Sequence, residues 1–439
     1  MREFVRGAPW WTEDGRVVRA DPADRDRLPG DTWERAGLPA GVRLEFTARG
    51  VSAVEVTYTA TPPSQTDTYR TTPPVFTLLT ASGGGFRTGA NGDTESVDTS
   101  TPHGAWGTGA EASGDTENTS TPAPQNAGDT RAKADDRAEN GVAPSQQGGN
   151  TATPGAPTPH GAEGTRAESD DRTDNGDTPA RRRGDTRTTN APTPPDARAQ
   201  GPLDTPAAPG SHSVWVQLPH ADGDFVLHLP ETLRPVLTGL RPVGGGVLTP
   251  RPRQPRWLVY GDSIVEGWST SRPHLAWPAL AGRALGVETV NLGYAGAARG
   301  ELASAEQLAS LDADLITVAF GTNCWSRTPH SARLLYETVR AFLDLVRRGH
   351  PDTPLLVVSP VVRPDAEAVP NVLGATLRDL RTAVERAALD AGTELLPGGG
   401  LLDAGHLVDG VHPGEAGHAV LAEAVASALR KGHSRAASS

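Results

Sequence analysis

Three short runs in the C-terminal part of the chain are apolar almost without interruption: Trp257-Leu-Val-Tyr260, Leu315-Ile-Thr-Val-Ala-Phe320 and Leu355-Leu-Val-Val358. Strands of that kind have to be covered on both faces. Helical spacing fills the gaps, over 277–285, 301–311, 331–348, 372–391 and 415–430. Two shorter strand signals fall at 288–292 and 393–396. Strands alternating with helices predict an α/β domain built on a parallel sheet, with helices on both sides.

The first of these strands stops at Gly261, and Asp262 and Ser263 follow at its carboxyl end. Open α/β sheets keep their sites there. A helix starting at the serine would aim free N–H groups and a dipole at any negative charge. Alone, Gly-Asp-Ser also reads as an ordinary helix cap. Three later stretches separate the two readings: Asn291-Leu-Gly-Tyr-Ala-Gly296, Gly321-Thr-Asn323 and Asp409-Gly-Val-His-Pro413. In order and residue type these blocks match the signature of the SGNH hydrolases, also called GDSL esterases. The sequence resembles that superfamily over residues 256–430. The resemblance implies a three-layer α/β/α, flavodoxin-like hydrolase domain.

The chemistry of the residues fits that expectation. Ser263 is the nucleophile, and a serine hydroxyl needs a base to take its proton. His412, on a loop stiffened by Pro413 before the last helix, is that base. The domain's other histidines are 274, 330, 350, 406 and 418, and His418 falls inside a predicted helix, where a packed or solvated ring is the default. Asp409, three residues before His412, can accept from the other ring nitrogen and hold the tautomer. Its Asp-Gly pair also suits a plain turn, and some relatives use a backbone carbonyl instead. The family's oxyanion hole carries over to the Ser263 N–H, the Gly296 N–H and the Asn323 side chain, with Gly293 a rival in the same block. Where many relatives place an aspartate after the block asparagine, this chain has Cys324. No second base is evident for that thiol. Trp268, Trp325 and Arg327 lie near the site loops and are candidates for substrate contacts, with ordinary packing the competing account.

Upstream, the pattern changes. Residues 42–46, 51–58, 213–218 and 224–229 alternate apolar and polar, as antiparallel strands with one wet face do, and 74–79 is a further short run. No helical period is visible in residues 1–81. The flanks 1–81 and 211–250 together predict a β-sandwich, jelly-roll-like domain, and its position resembles the two-domain carbohydrate esterases of the superfamily. Trp10 and Trp11 are expected in its core. Arg251-Pro-Arg-Gln-Pro-Arg256 reads as a stiff connector between domains. Residues 82–210 carry almost no aromatics and contain repeated units, such as Thr-Pro-His-Gly-Ala at 101 and 158. They read as a disordered insertion, unable to bury enough apolar surface to offset chain entropy. Residues 431–439 read as a disordered tail.

Composition narrows the partners. The net charge is −12, with no basic stripe interleaved with aromatics, so nucleic acid is not expected. The single cysteine, Cys324, allows no intrachain disulfide. No residues have zinc-ligand spacing, so no metal and no cofactor are expected. No run has the length of a membrane span, and no signal-peptide pattern is visible at the start, which reads as a cytoplasmic protein. The expected substrate is a small-molecule or carbohydrate ester. The expected reaction is removal of a small acyl group, such as acetyl, through an acyl-enzyme. The alternatives are a lipase, lysophospholipase or thioesterase of the same superfamily, or a catalytically silent carbohydrate-binding protein. Oligomeric state is not legible.

Overall fold

A computed structural model of the chain describes residues 1–60, 75–80, 84–88, 94–98 and 210–436. The C-terminal strands Glu288–Gly293, Arg256–Gly261, Leu315–Ala319, Leu355–Val358 and Glu394–Leu396 lie side by side in that order, all parallel. Numbered along the chain the order is 2-1-3-4-5, the flavodoxin-like arrangement. The pleat sorts the apolar runs onto two faces. Leu258 and Tyr260 pack with Val339, Phe342 and Leu380 on one side. Trp257 and Val259 pack with Trp277, Leu421 and Val425 on the other. This is the expected three-layer α/β/α domain. The chain reverses its direction of winding between the strands Arg256–Gly261 and Leu315–Ala319, and open sheets bind ligands at the carboxyl ends of such a pair.

Helix positions follow the sequence with two shifts. The helix expected over 372–391 spans Leu377–Asp390. Thr376 caps it, in a reciprocal capping box with Asp379, and Val372 and Leu373 stay exposed ahead of it. The last helix, Glu415–Ala436, runs past 430, so the segment expected to be a tail is helical up to 436.

Before this domain lie two antiparallel sheets that share one core. In the larger, Arg43–Arg49 pairs with Gly223–His228, which pairs with Thr77–Thr80. In the smaller, Ala53–Ala60 pairs with both Val236–Val243 and Gly210–Gln217. Phe46, Phe225 and Leu227 from one sheet meet Val54, Val56 and Val216 from the other. The flanks of the long insertion therefore join in one β-sandwich. Gly84–Thr88 and Thr94–Asp98 extend the larger sheet, so strands continue beyond the boundary expected at 82. The rest of that expected insertion lies outside the described residues.

Two expectations about the N-terminal region change. A helix, Gly30–Ala36, stands where no helical period was visible. At seven residues it is too short to show one. The polar face of the larger sheet is also wet at one end only, where Arg49 is exposed. Arg43, Glu45 and His228 on it are buried, and Arg43 donates to the carbonyl of Thr289 in the hydrolase domain at 3.1 Å. Alternation reports polarity, and here the polar face docks on another domain. Trp11 packs on the sandwich core as expected, whereas Trp10 packs on the hydrolase core. Among the described residues, no helix is long and apolar enough to cross a membrane.

Candidate active site

The strand Arg256–Gly261 delivers Ser263 to the carboxyl edge of the sheet. Asp262 caps the next turn, its side chain accepting from the Ile264 N–H at 3.0 Å. The helix Ser263–Glu266 is a single turn, ended by Gly267 in the left-handed region. Burial pushes the Asp262 carboxyl up to about 6, against the opposing pull of the Ile264 N–H and His412.

Ser263 Oγ lies 2.8 Å from His412 Nε2, and His412 Nδ1 lies 2.7 Å from Asp409 Oδ2. An ionised carboxylate can only accept, so Nδ1 carries the imidazole proton and Nε2 is free to accept from the serine. Asp409 Oδ1 also accepts from the N–H groups of Val411 and His412, at 3.0 and 2.8 Å. Burial by itself would raise the Asp409 carboxyl. The hydrogen bonds and charge of His412 outweigh it and leave the group below its ordinary value. Asp409 thus closes the turn through Oδ1 while its Oδ2 faces the His412 ring.

The Asn323 side chain reaches across to the loop that carries Gly296. Asn323 opens a short helix after the strand Leu315–Ala319, and its Nδ2 donates to the Ala298 carbonyl at 3.1 Å. That bond orients the amide against the loop carrying Gly296. Gly296 has φ +73°, and a Cβ there would meet only Arg327 Nε, at 3.9 Å. What requires glycine there is the left-handed backbone, not a shortage of space for a side chain. Gly293 differs: a Cβ there would sit 2.3 Å from the Glu266 nitrogen. Gly293 is needed so that its strand can abut the helix Ser263–Glu266.

The three substrate-contact candidates separate. The Trp268 ring lies against His412, with centroids 5.6 Å apart. His418, fully buried, fixes that tryptophan: its Nε2 bonds the Trp268 carbonyl at 3.1 Å, and its Nδ1 accepts from the Trp277 N–H at 3.1 Å. Burial pulls the His418 ring down to about 4. Arg327 is exposed at the rim beside Gly296. Trp325 is engaged elsewhere, with Nε1 donating to the Val369 carbonyl at 2.9 Å and Arg363 over its ring at 4.8 Å. Cys324 is fully buried in the core, and burial drives its thiol far up, away from the thiolate form. Among the described residues, no group of three His, Cys, Asp or Glu is placed to hold a metal ion.

Sequence reasoning missed Glu266, Arg19 and Arg35. Glu266 is almost fully buried and pairs with Arg35 and with the fully buried Arg19. The only local signal was a charged residue following Ile264 and Val265 in the nucleophile block. Its partners come from the other end of the chain.

A serine, histidine and aspartate in hydrogen-bonded series, at the winding reversal of a 2-1-3-4-5 parallel sheet, define a site of the serine-hydrolase class. Residues 259–420 match the model of the GDSL-like Lipase/Acylhydrolase family, and the chain carries a GDSL/SGNH hydrolase domain. A GDSL lipase of Mycobacterium tuberculosis, Rv0518, is 34% identical over 116 residues, which are 26% of this chain and 49% of that protein. The chain thus spans about half the length of the curated relative it matches. Two solved structures share the fold over nearly the whole chain. One is the salicylyl-acyltransferase SsfX3 of a tetracycline biosynthetic pathway, with TM-score 0.61, 20% identity, and coverage of 97% of this chain and 94% of that one. The other is a putative GDSL-like lipase from Bacteroides ovatus, with TM-score 0.58, 15% identity, and coverage of 97% and 95%.

Proposed function

We propose that this protein is a serine esterase that hydrolyses a carboxylic ester with a short acyl group through an acyl-enzyme. The observation that carries the reading is the unbroken series Ser263–His412–Asp409, at 2.8 and 2.7 Å. In the first half-reaction, Ser263 Oγ attacks the ester carbonyl carbon while His412 Nε2 takes the hydroxyl proton. Asp409 stabilises the imidazolium that forms. The oxyanion is held by the N–H groups of Ser263 and Gly296 and by the Asn323 amide, preset donors that need no reorganisation. Collapse expels the alcohol, which takes its proton from His412. Water then attacks the acyl-enzyme by the same route, and the acid leaves. Water is the only co-reactant required.

The short acyl group rests on the superfamily resemblance and on the sandwich domain that precedes the hydrolase domain. Trp268 and Arg327 would contact the ester at the rim. A sugar or glycoside as the alcohol part remains part of the proposal, supported by the sandwich domain's position alone.

A chain-length series of p-nitrophenyl esters tests this. The expected result is the highest kcat/KM at acetate, falling with length. A maximum at long chains would replace the reading with a lipase. Absence of turnover on every ester, with sugar binding retained, would replace it with a binding protein.

A further inference from the structure

All the residues assigned to chemistry lie in the hydrolase domain, yet the helix Gly30–Ala36 from the far end of the chain reaches Glu266, Trp268 and Arg299 beside them. Two of its side chains one turn apart, Asp31 and Arg35, engage the site from one helix face. Arg35 pairs with Glu266, Nη2 on Oε1 and Nε on Oε2, the latter at 3.3 Å. Glu266 closes the one-turn helix that Ser263 opens. Its Oε2 also accepts from the Ala295 N–H at 3.0 Å, one residue before Gly296. Arg19 lies 3.5 Å from the same oxygen and donates to the carbonyls of Asn291 and Gly293, on the strand that leads into the loop. Arg35 also lies over the Trp268 ring at 5.5 Å, and that ring is tilted against His412 with centroids 5.6 Å apart. Asp31 holds the far side of the loop. It makes two bonds of 2.6 Å to Arg299, whose Nε donates to the Ala297 carbonyl at 2.9 Å.

We propose that Arg35 is a positioning residue. Through Glu266 it sets the nucleophile helix against the Gly296 loop, which makes the N-terminal region part of the catalytic apparatus. The catalytic consequence rests on the esterase reading; the structural part does not. The physical need is plain. Oxyanion donors act only if they are in place before the charge develops, and an error of about 1 Å costs on the order of 10²-fold in rate. Ser263 and Gly296 sit on different elements, and Glu266 holds both while being held by Arg35. A buried carboxylate can do this only with its charge balanced. Arginine suits the task, because its fork meets both oxygens at once.

The test uses full-length protein with Arg35→Met and Arg35→Lys. Amide hydrogen exchange is read over 263–268 and 294–298, and steady-state kinetics on p-nitrophenyl acetate. The expected result for Arg35→Met is faster exchange in both segments and kcat lower by roughly 10²-fold. KM should stay within about threefold, because the donors act in the transition state. Arg35→Lys should recover part of the loss in both readouts. Unchanged exchange in the two segments, or unchanged kcat per folded molecule despite a lower melting temperature, would overturn the proposal. If Arg35→Met does not fold, Arg35→Lys decides: normal exchange and normal kcat overturn it, and a loss in both supports it. Failure of the esterase reading shows separately. Wild-type protein would then not take a fluorophosphonate on Ser263, while the exchange difference would persist.

Discussion

Asn323 shows what a single residue contributes. Its Nδ2 is tied to Ala298 O at 3.1 Å, which fixes the amide that is assigned to the oxyanion. Asn323→Ala should lower kcat by roughly 10²–10³ and leave KM nearly unchanged, as expected for a donor engaged in the transition state. A large rise in KM at normal kcat would make it a ground-state binding residue instead. Asp262 gives a second test. Its carboxyl is pushed up to about 6 from an ordinary 3.8, so the folded chain holds that proton more tightly than the unfolded one. The resulting stabilisation is complete below the ordinary value and is lost as pH rises through about 6. Asp262→Asn keeps an acceptor for the Ile264 N–H but does not titrate. Relative to the parent it should therefore gain stability between pH 4 and pH 7. Urea midpoints at the two ends check this, and a constant difference between them would contradict it. At this scale the sequence was most informative. The three side chains that stand in hydrogen-bonded series, Ser263, His412 and Asp409, were legible because the chemistry proposed for them demands specific residue types in ordered blocks. Gly296 was preferred to Gly293 from the block alone, and the packing reason that sets Gly293 apart, the approach of the Glu266 backbone, was not legible.

At the scale of elements, propensity and period located the strands and most helices, and local hydrogen bonds moved the ends. The helix expected from 372 begins at Leu377, because Thr376 and Asp379 form a reciprocal box and Asn371 draws the preceding backbone into a turn. Thr376→Ala should cost about 1 kcal/mol of stability. Its specific activity should match the parent, and a denaturant titration with parallel assays would show it. The helix Gly30–Ala36 was missed for a different reason. It is too short for periodicity, and its register is set by contacts with distant residues: Asp31 with Arg299 and Arg35 with Glu266.

For the whole molecule, the seam between sandwich and hydrolase domain buries polar side chains that a single sequence presents as ordinary surface. His228 and His274 face each other there, with ring centroids 6.1 Å apart. Burial, with the charges of Arg283 and Arg272, pulls His274 down to about 3. Burial lowers His228 as well, with His274, Arg43 and Arg283 adding to it. Folding thus favours the neutral rings. Their contribution is complete above the ordinary imidazole value of 6.5 and is lost as pH falls toward the folded values. Stability should drop steeply with acid below that value, and His274→Gln should flatten the drop. Melting temperature against pH for the two proteins measures it, and equal slopes would contradict a role for this seam. The same seam shows that the connector at 251–256, legible in composition, is tied to both of its neighbours. Arg251 and Arg253 in it bond Glu45 and Glu288, one in each domain.

The most direct measurement is intact-protein and peptide mass spectrometry after reaction with a fluorophosphonate, run beside p-nitrophenyl acetate turnover. One label per chain on Ser263 is predicted. Both label and turnover should be lost in Ser263→Ala, and both should be comparably reduced in His412→Ala, because nucleophile and base act as a unit. Turnover that survives Ser263→Ala, or a label on any other residue that accounts for inhibition, would contradict the assignment of the nucleophile and the mechanism built on it.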